Sequence, residues 1–89
     1  MAEINIVAID ENTYQVTVVA GTTTTHIVTV QLAYAAQLCR EKINTAALIK
    51  KSFEFLLSRE SNSSILRRFD LSVISQYFPE FEREMTEKI

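Results

Sequence analysis

The chain contains one histidine, His26, and one cysteine, Cys39, the two side chains that cysteine-based nucleophilic catalysis combines. In such a pair the imidazole takes the thiol proton, and a third polar group orients the imidazole. Here His26 falls in a strand-like segment and Cys39 lies on the apolar side of a helical one, with no evident acid to orient the ring. We therefore predict that both residues are structural and that the protein is not an enzyme.

Composition also argues against cofactor and metal chemistry. Phosphate-binding loops need several glycines so that backbone N–H groups can reach the oxygens, and Gly21 is the one glycine of the chain. A metal site needs three or four ligands at coherent spacing, whereas only dispersed carboxylates accompany His26. We expect neither a cofactor nor a metal.

The stretch from residue 63 to 81 combines large apolar side chains, one proline and two adjacent arginines. Its first interpretation is a corner of the core. Together with the apolar helix predicted before it, however, the stretch holds more apolar surface than one small core can bury, and the surplus would form a docking patch. Interfaces enrich aromatic residues and arginine. We therefore predict an interaction surface made of Tyr77, Phe78, Phe81, Arg67 and Arg68.

Nucleic-acid binding is the alternative that the sequence leaves open. Residues 45–78 can be read as helices separated by tight turns, with Lys50, Lys51, Arg67 and Arg68 as possible phosphate contacts. Against this interpretation, the formal net charge is −2. Only residues 31–70 carry a basic excess, with seven basic against four acidic side chains. That falls short of the basic stripe that phosphate binding usually requires.

Hydrophobic periodicity indicates three strands before the first helix. Residues 4–9, 13–19 and 25–30 have the β-branched, partly alternating pattern of strands, and Gly21 marks the second turn. A two-residue turn sets Val16 opposite Ile27, whereas a loop one residue longer, which we favour, sets Val16 opposite Val28. A slip of one residue would move His26 between core and solvent.

From Gln31 onward the period becomes helical. A first helix of about ten residues is followed by a central helix over residues 45–59, with Asn44 or Thr45 as its N-cap. Large apolar side chains cover about 200° of the central helix. Because one neighbour cannot cover such a wide face, we predict that the sheet packs on one side of this helix and later helices on the other.

Three shorter helices are predicted after the central one. The first runs through SILRRF with Ser61 or Asn62 as its cap, Asp70 caps the second, and Pro79 precedes the last. Pro79 also disfavours helical geometry at Phe78.

The segment that starts at Ser52 reads SFEFLLSRE, then SILRRFDLSVISQYFPE. It resembles a group of small bacterial and archaeal proteins of no established activity, which share S-F-E-F-L-L-x-R-E followed by S-I-L-x-x-F-D-L-x-V-I-x-x-Y-F-P-E. The likeness covers about the C-terminal two-fifths of the chain. The resemblance implies a shared small α+β fold and gives no residue a functional role.

We therefore predict one small α+β domain over residues 1–89, in which a three-stranded antiparallel N-terminal meander packs on a C-terminal helical layer. No apolar run approaches the roughly 20 residues that span a bilayer, and the N-terminus lacks the basic region of a signal peptide. We expect a cytoplasmic protein with no membrane partner. The predicted function is a non-enzymatic protein-interaction module whose partner is another protein or a second copy of the chain in a homodimer.

Overall fold

The structure, a computed structural model, describes residues 3–87. One sheet has the strand order β1-β2-β3-β4, with β1 Glu3–Ala8, β2 Thr13–Ala20, β3 Thr22–Thr29 and β4 Arg68–Asp70. The helices are α1 Leu32–Cys39, α2 Thr45–Leu57, α3 Ile74–Tyr77 and α4 Phe81–Glu87. Short 3-10 turns cover Asn62–Ser64 and Leu71–Val73. The predicted α+β class and the antiparallel N-terminal meander are confirmed.

The fourth strand was missing from the sequence-based prediction. Instead of forming a helix through SILRRF, the chain leaves a 3-10 turn at Ile65 with extended backbone angles, and β4 then pairs with β3 in parallel. The Ile27 N–H donates to the Arg67 carbonyl at 2.7 Å, and Val28 lies beside Phe69. A strand of three residues is too short to show an alternating pattern, so only its contacts with β3 reveal it. The sheet is therefore mixed.

The register of the β2–β3 hairpin differs from both predicted alternatives. Val16 lies opposite His26, two residues away from the favoured partner, and Tyr14 lies opposite Val28. The turn closes tightly around Gly21, whose φ of +82° is readily available to glycine. Because a displacement of two preserves the facing of every side chain, Val16 and Val28 still share the core face as predicted. His26 is consequently in the core.

The central helix α2 is covered from two sides, as predicted. On its sheet side the Phe53 ring lies 5.4 Å from the His26 ring and 6.1 Å from the Phe69 ring, between centroids. On its other side the Phe55 ring meets the edges of Phe81 at 5.3 Å and Phe78 at 5.8 Å. The helix links the sheet to the C-terminal helices.

Polar side chains fix where the helices begin. Asn44 Oδ1 accepts from the Ala47 N–H at 2.8 Å, which confirms Asn44 as the N-cap of α2. Asp70 Oδ1 accepts from the Ser72 N–H at 3.0 Å and so caps the 3-10 turn that leads into α3. None of the helices within residues 3–87 has the length and apolar character needed to cross a membrane.

Replacing Phe53 by alanine tests the two-sided core. Phe53 is fully buried between α2 and the sheet, so Phe53→Ala should lower the free energy of unfolding by about 3–5 kcal/mol in urea denaturation. Leu32 supplies the control, because it is also apolar and helical but 64% exposed. Leu32→Ala should change stability by no more than about 0.5 kcal/mol. Equal losses in the two variants would contradict the proposed packing.

Candidate functional site

An apolar groove opens on the surface between the C-terminal end of α2, the extended segment before β4, and α3. Its volume is about 230 Å³. The buried side chains that line it are Leu56, Ile65, Phe69 and Ile74. At its mouth stand Tyr77, which is 67% exposed, and Leu66, which is 48% exposed. Large apolar side chains are therefore exposed next to a depression that reaches the core. We call this depression the α2–α3 groove.

The shortness of α3 places Tyr77 at the mouth. The Phe78 N–H still donates to the Ile74 carbonyl at 2.8 Å, but the backbone of Phe78 is non-helical, with φ −130° and ψ 90°. This is the geometry expected before Pro79. The chain therefore turns directly after Tyr77, so that Phe78 packs on Phe55 and Tyr77 is left facing solvent.

Arg59 closes the end of α2 beside the groove. Its guanidinium carbon lies 3.7 Å from the centre of the Phe55 ring, and its Nη2 forms an ion pair with Glu80 at 3.3 Å. Its Nη1 also donates to the Phe55 carbonyl at 3.3 Å. Stacking of this kind contributes about 0.5–1 kcal/mol at an exposed site. Arg59 therefore covers a core aromatic ring and joins α2 to the segment that precedes α4.

The structure brings together only some of the predicted interaction residues. Tyr77 and Phe78 both line the α2–α3 groove, whereas Arg67 is exposed and follows the lining residue Leu66 in the chain without lining the groove itself. Arg68 is exposed, but it alternates with the buried Phe69 in β4 and so lies on the outer face of the sheet.

Phe81 requires a correction, because its side chain is completely buried. It packs against Phe55 at the start of α4 and offers no area to a partner. Leu66 takes its place at the groove. Sequence reasoning missed Leu66 because it assigned the residue to a helix, whereas Leu66 lies outside every helix and strand and its side chain is half-exposed.

A buried polar cluster lies behind the groove. His26 Nδ1 is 2.7 Å from the Leu66 carbonyl oxygen, and its Nε2 is 2.8 Å from Thr24 Oγ1. Because a carbonyl only accepts, Nδ1 carries the proton and Nε2 accepts from the Thr24 hydroxyl. Asn62 Nδ2 donates to Thr24 Oγ1 at 3.1 Å and to the Thr22 carbonyl at 3.0 Å. The cluster ties the segment before β4 to the hairpin end of β3.

The two residues with catalytic potential are both enclosed. Burial lowers the pKa of His26, and both ring nitrogens already have partners inside the protein. Burial also raises the pKa of the Cys39 thiol, which disfavours the reactive thiolate. Within residues 3–87 no group of three or more histidine, cysteine, aspartate or glutamate side chains is placed to hold a metal ion.

The residues considered for phosphate contacts are spread over different elements. Lys50 is exposed and Lys51 half-buried on α2, whereas Arg67 and Arg68 belong to the extended segment and β4. The two arginines therefore lie outside the helices, and of these four residues only Lys50 and Lys51 share one.

Comparison with known proteins returned no match: no protein family, curated protein or solved structure was found to be similar to this chain. The interpretation of the groove and of the buried cluster therefore rests on their geometry alone.

The burial of neutral His26 predicts a pH-dependent stability. Its pKa is lowered in the folded state, so the unfolded chain binds the extra proton more readily, and stability should fall as the pH drops through about 6.5. Above that pH the contribution of His26 should be constant. His26→Gln should cost about 1–3 kcal/mol at neutral pH and flatten the dependence between pH 7.5 and 5.5 in urea denaturation. An unchanged slope in this variant would contradict the assignment.

Proposed function

We propose that this protein is a self-associating interaction module, in which the α2–α3 groove of each copy receives Tyr77 of the other. The observation that carries the proposal is the 67% exposure of an aromatic side chain directly beside an apolar depression. Burying aromatic anchors in pockets is how interfaces gain most of their affinity. Tyr77 supplies such an anchor, and the groove supplies the pocket.

A second copy fits because anchor and pocket belong to the same face. A two-fold axis places the same patch of both chains in contact, so each copy gives one Tyr77 and receives one. The volume of about 230 Å³ lies below the roughly 300–1,000 Å³ of small-molecule pockets. Its size therefore suits one large side chain better than a cofactor.

Charges at the rim support the same pairing. Glu60 lines the α2–α3 groove, and the exposed Arg67 directly follows the lining residue Leu66 in the chain, so charges of both signs belong to the groove and the segment beside it. In a two-fold arrangement Glu60 of each copy can face Arg67 of the other. Such exposed pairs contribute about 0–1 kcal/mol each, so they favour the correct orientation more than they add affinity.

The area of the groove and its rim fits a small, weak interface better than a standard one. A standard interface buries about 800 Å² per partner, which would be about 15% of the 5245 Å² surface of this chain. The groove with its rim is only part of such an area. We therefore expect a dimer that forms and dissociates with concentration.

Replacing Tyr77 tests the anchor. In sedimentation equilibrium the unaltered protein should shift from monomer to dimer between micromolar and millimolar concentration. Tyr77→Ala should weaken association by at least about 30-fold, the effect of a buried aromatic anchor. Gln76 is the matched control, because it is exposed and adjacent on α3, and Gln76→Ala should dimerise normally. Equal association of the two variants, or a monomer throughout, would overturn the proposal.

Exchanging the rim charges tests the two-fold arrangement. Glu60→Arg and Arg67→Glu should each weaken the dimer several-fold, because each places like charges opposite one another. The double variant carries both changes and should recover most of the affinity. Additive losses in the double variant would show that Glu60 and Arg67 do not meet across the interface.

A further inference from the structure

Strand β1 forms an open edge of the sheet. Among residues 3–87 it pairs with β2 alone, over six residues, and it contains no proline or lysine, the residues that commonly protect sheet edges. Ile4 and Ile6 are half-buried against the core, whereas Val7 is 60% exposed. An edge of this length is a ready template for another strand.

The hydrogen bonds show which backbone groups face outward. The Ile9 N–H donates to the Thr13 carbonyl at 2.8 Å, so the odd-numbered residues of β1 bond to β2. The bonds between β2 and β3 are consistent with this pattern. The Val30 N–H donates to the Asn12 carbonyl at 2.8 Å, so the even-numbered residues of β2 bond to β3 and its odd-numbered residues are left to bond to β1. The N–H and C=O groups of Ile4, Ile6 and Ala8 therefore point away from the sheet.

The two faces of this edge differ in character. Side chains that alternate onto the core face would join Ile4 and Ile6 beneath α2, which lies over β1. Side chains on the outer face would join the exposed residues Glu3, Asn5 and Val7. A strand added here should therefore carry apolar residues at alternate positions.

The charge around the edge selects a basic strand. Residues 3–30 contain Glu3, Asp10 and Glu11 and no lysine or arginine. The Asn12 backbone N–H donates to Asp10 at 2.9 Å and lowers the pKa of that carboxyl group, because the bond stabilises its charged form. Acidic side chains thus stand at both ends of β1.

We propose that the free edge of β1 binds an extended segment of a partner protein in which apolar and basic residues alternate. The apolar side chains pack beside Ile4 and Ile6, the basic ones lie near Glu3 and the β1–β2 turn, and backbone groups of Ile4, Ile6 and Ala8 hold the strand. This surface shares no residue with the α2–α3 groove and does not depend on dimerisation there.

A second copy of the chain is a poorer occupant of this edge. Symmetric antiparallel pairing of two β1 strands about Ile6 would bring Glu3 of each copy to the Ile9–Asp10 end of the other. In this register Glu3 lies opposite Ile9, one residue from Asp10, so carboxylates of the two copies are brought close together and repel each other. A basic strand replaces this repulsion with attraction.

The test uses a blocked, fluorescein-labelled peptide of about seven alternating valine and lysine residues, with a matched valine–glutamate peptide as control. In fluorescence anisotropy the lysine peptide should bind at least about tenfold more tightly than the glutamate peptide and should weaken as salt is added. In amide hydrogen exchange the N–H groups of Ile4, Ile6 and Ala8 should exchange quickly in the free protein and become protected by the peptide.

Two variants separate backbone pairing from charge. Ala8→Pro removes an outward N–H and should weaken peptide binding without breaking the β1–β2 ladder. Glu3→Lys should weaken it several-fold, whereas Glu87→Lys, the same charge change at an exposed position of α4, should leave it unchanged. Circular dichroism checks that each variant folds. If Ala8→Pro does not fold, amide exchange in the unaltered protein still shows whether the peptide pairs with the backbone of β1.

Three results of the peptide experiments would overturn the proposal. They are no binding of the lysine peptide, binding that leaves the Ile4, Ile6 and Ala8 amides unprotected, and equal binding of the glutamate peptide. Protection of the same amides that increases with protein concentration in the absence of peptide would assign the edge to a second copy and would overturn it as well.

Discussion

The fold depends on one constraint, which is that α2 presents large apolar side chains over more than half of its circumference. Phe53 requires cover from the sheet, and Phe55 requires cover from the C-terminal segment. No single neighbour can satisfy both, so the chain after α2 must pass back over the helix. The path of residues 58–87 follows from this demand: a short crossover, a strand that extends the sheet, and two small helices that close over Phe55.

The buried polar cluster determines where the crossover returns. An apolar contact with α2 can form at several positions along the sheet, because hydrophobic burial is not directional. Hydrogen bonds are directional, and a buried donor without a partner is costly. The Asn62 side-chain amide donates a hydrogen bond to the Thr22 carbonyl, and His26 Nδ1 donates one to the Leu66 carbonyl. These bonds fix the register of β4, and with it the walls of the α2–α3 groove, so an interior histidine sets the geometry of a surface feature.

The sequence pattern correctly predicted those structural features that depend only on residues close together in the chain. The extent of α2 and the caps at Asn44 and Asp70 require only nearby residues, and all are present. The strand β4 depends instead on contacts about 40 residues away, whereas its own residues also fit a helical turn. Phe81 shows the same limit. Helical spacing places Phe81 on the apolar face of α4, but the sequence does not show whether that face is buried. Its burial follows from the contact with Phe55.

The two sheet edges are protected to different extents, and this difference determines which edge is more open to strand addition. Edge β4 has three residues, flanked by the crossover and by the 3-10 turn that Asp70 caps, and Arg68 and Asp70 place charge on its outer face. Short, charged edges of this kind resist further pairing. Edge β1 is twice as long and has its only charge, Glu3, at one end. A protein that needed to suppress strand addition would protect the longer edge first. Because β1 is left open and is flanked by carboxylates alone, the proposed strand addition at this edge would derive its selectivity from the charge of the incoming strand.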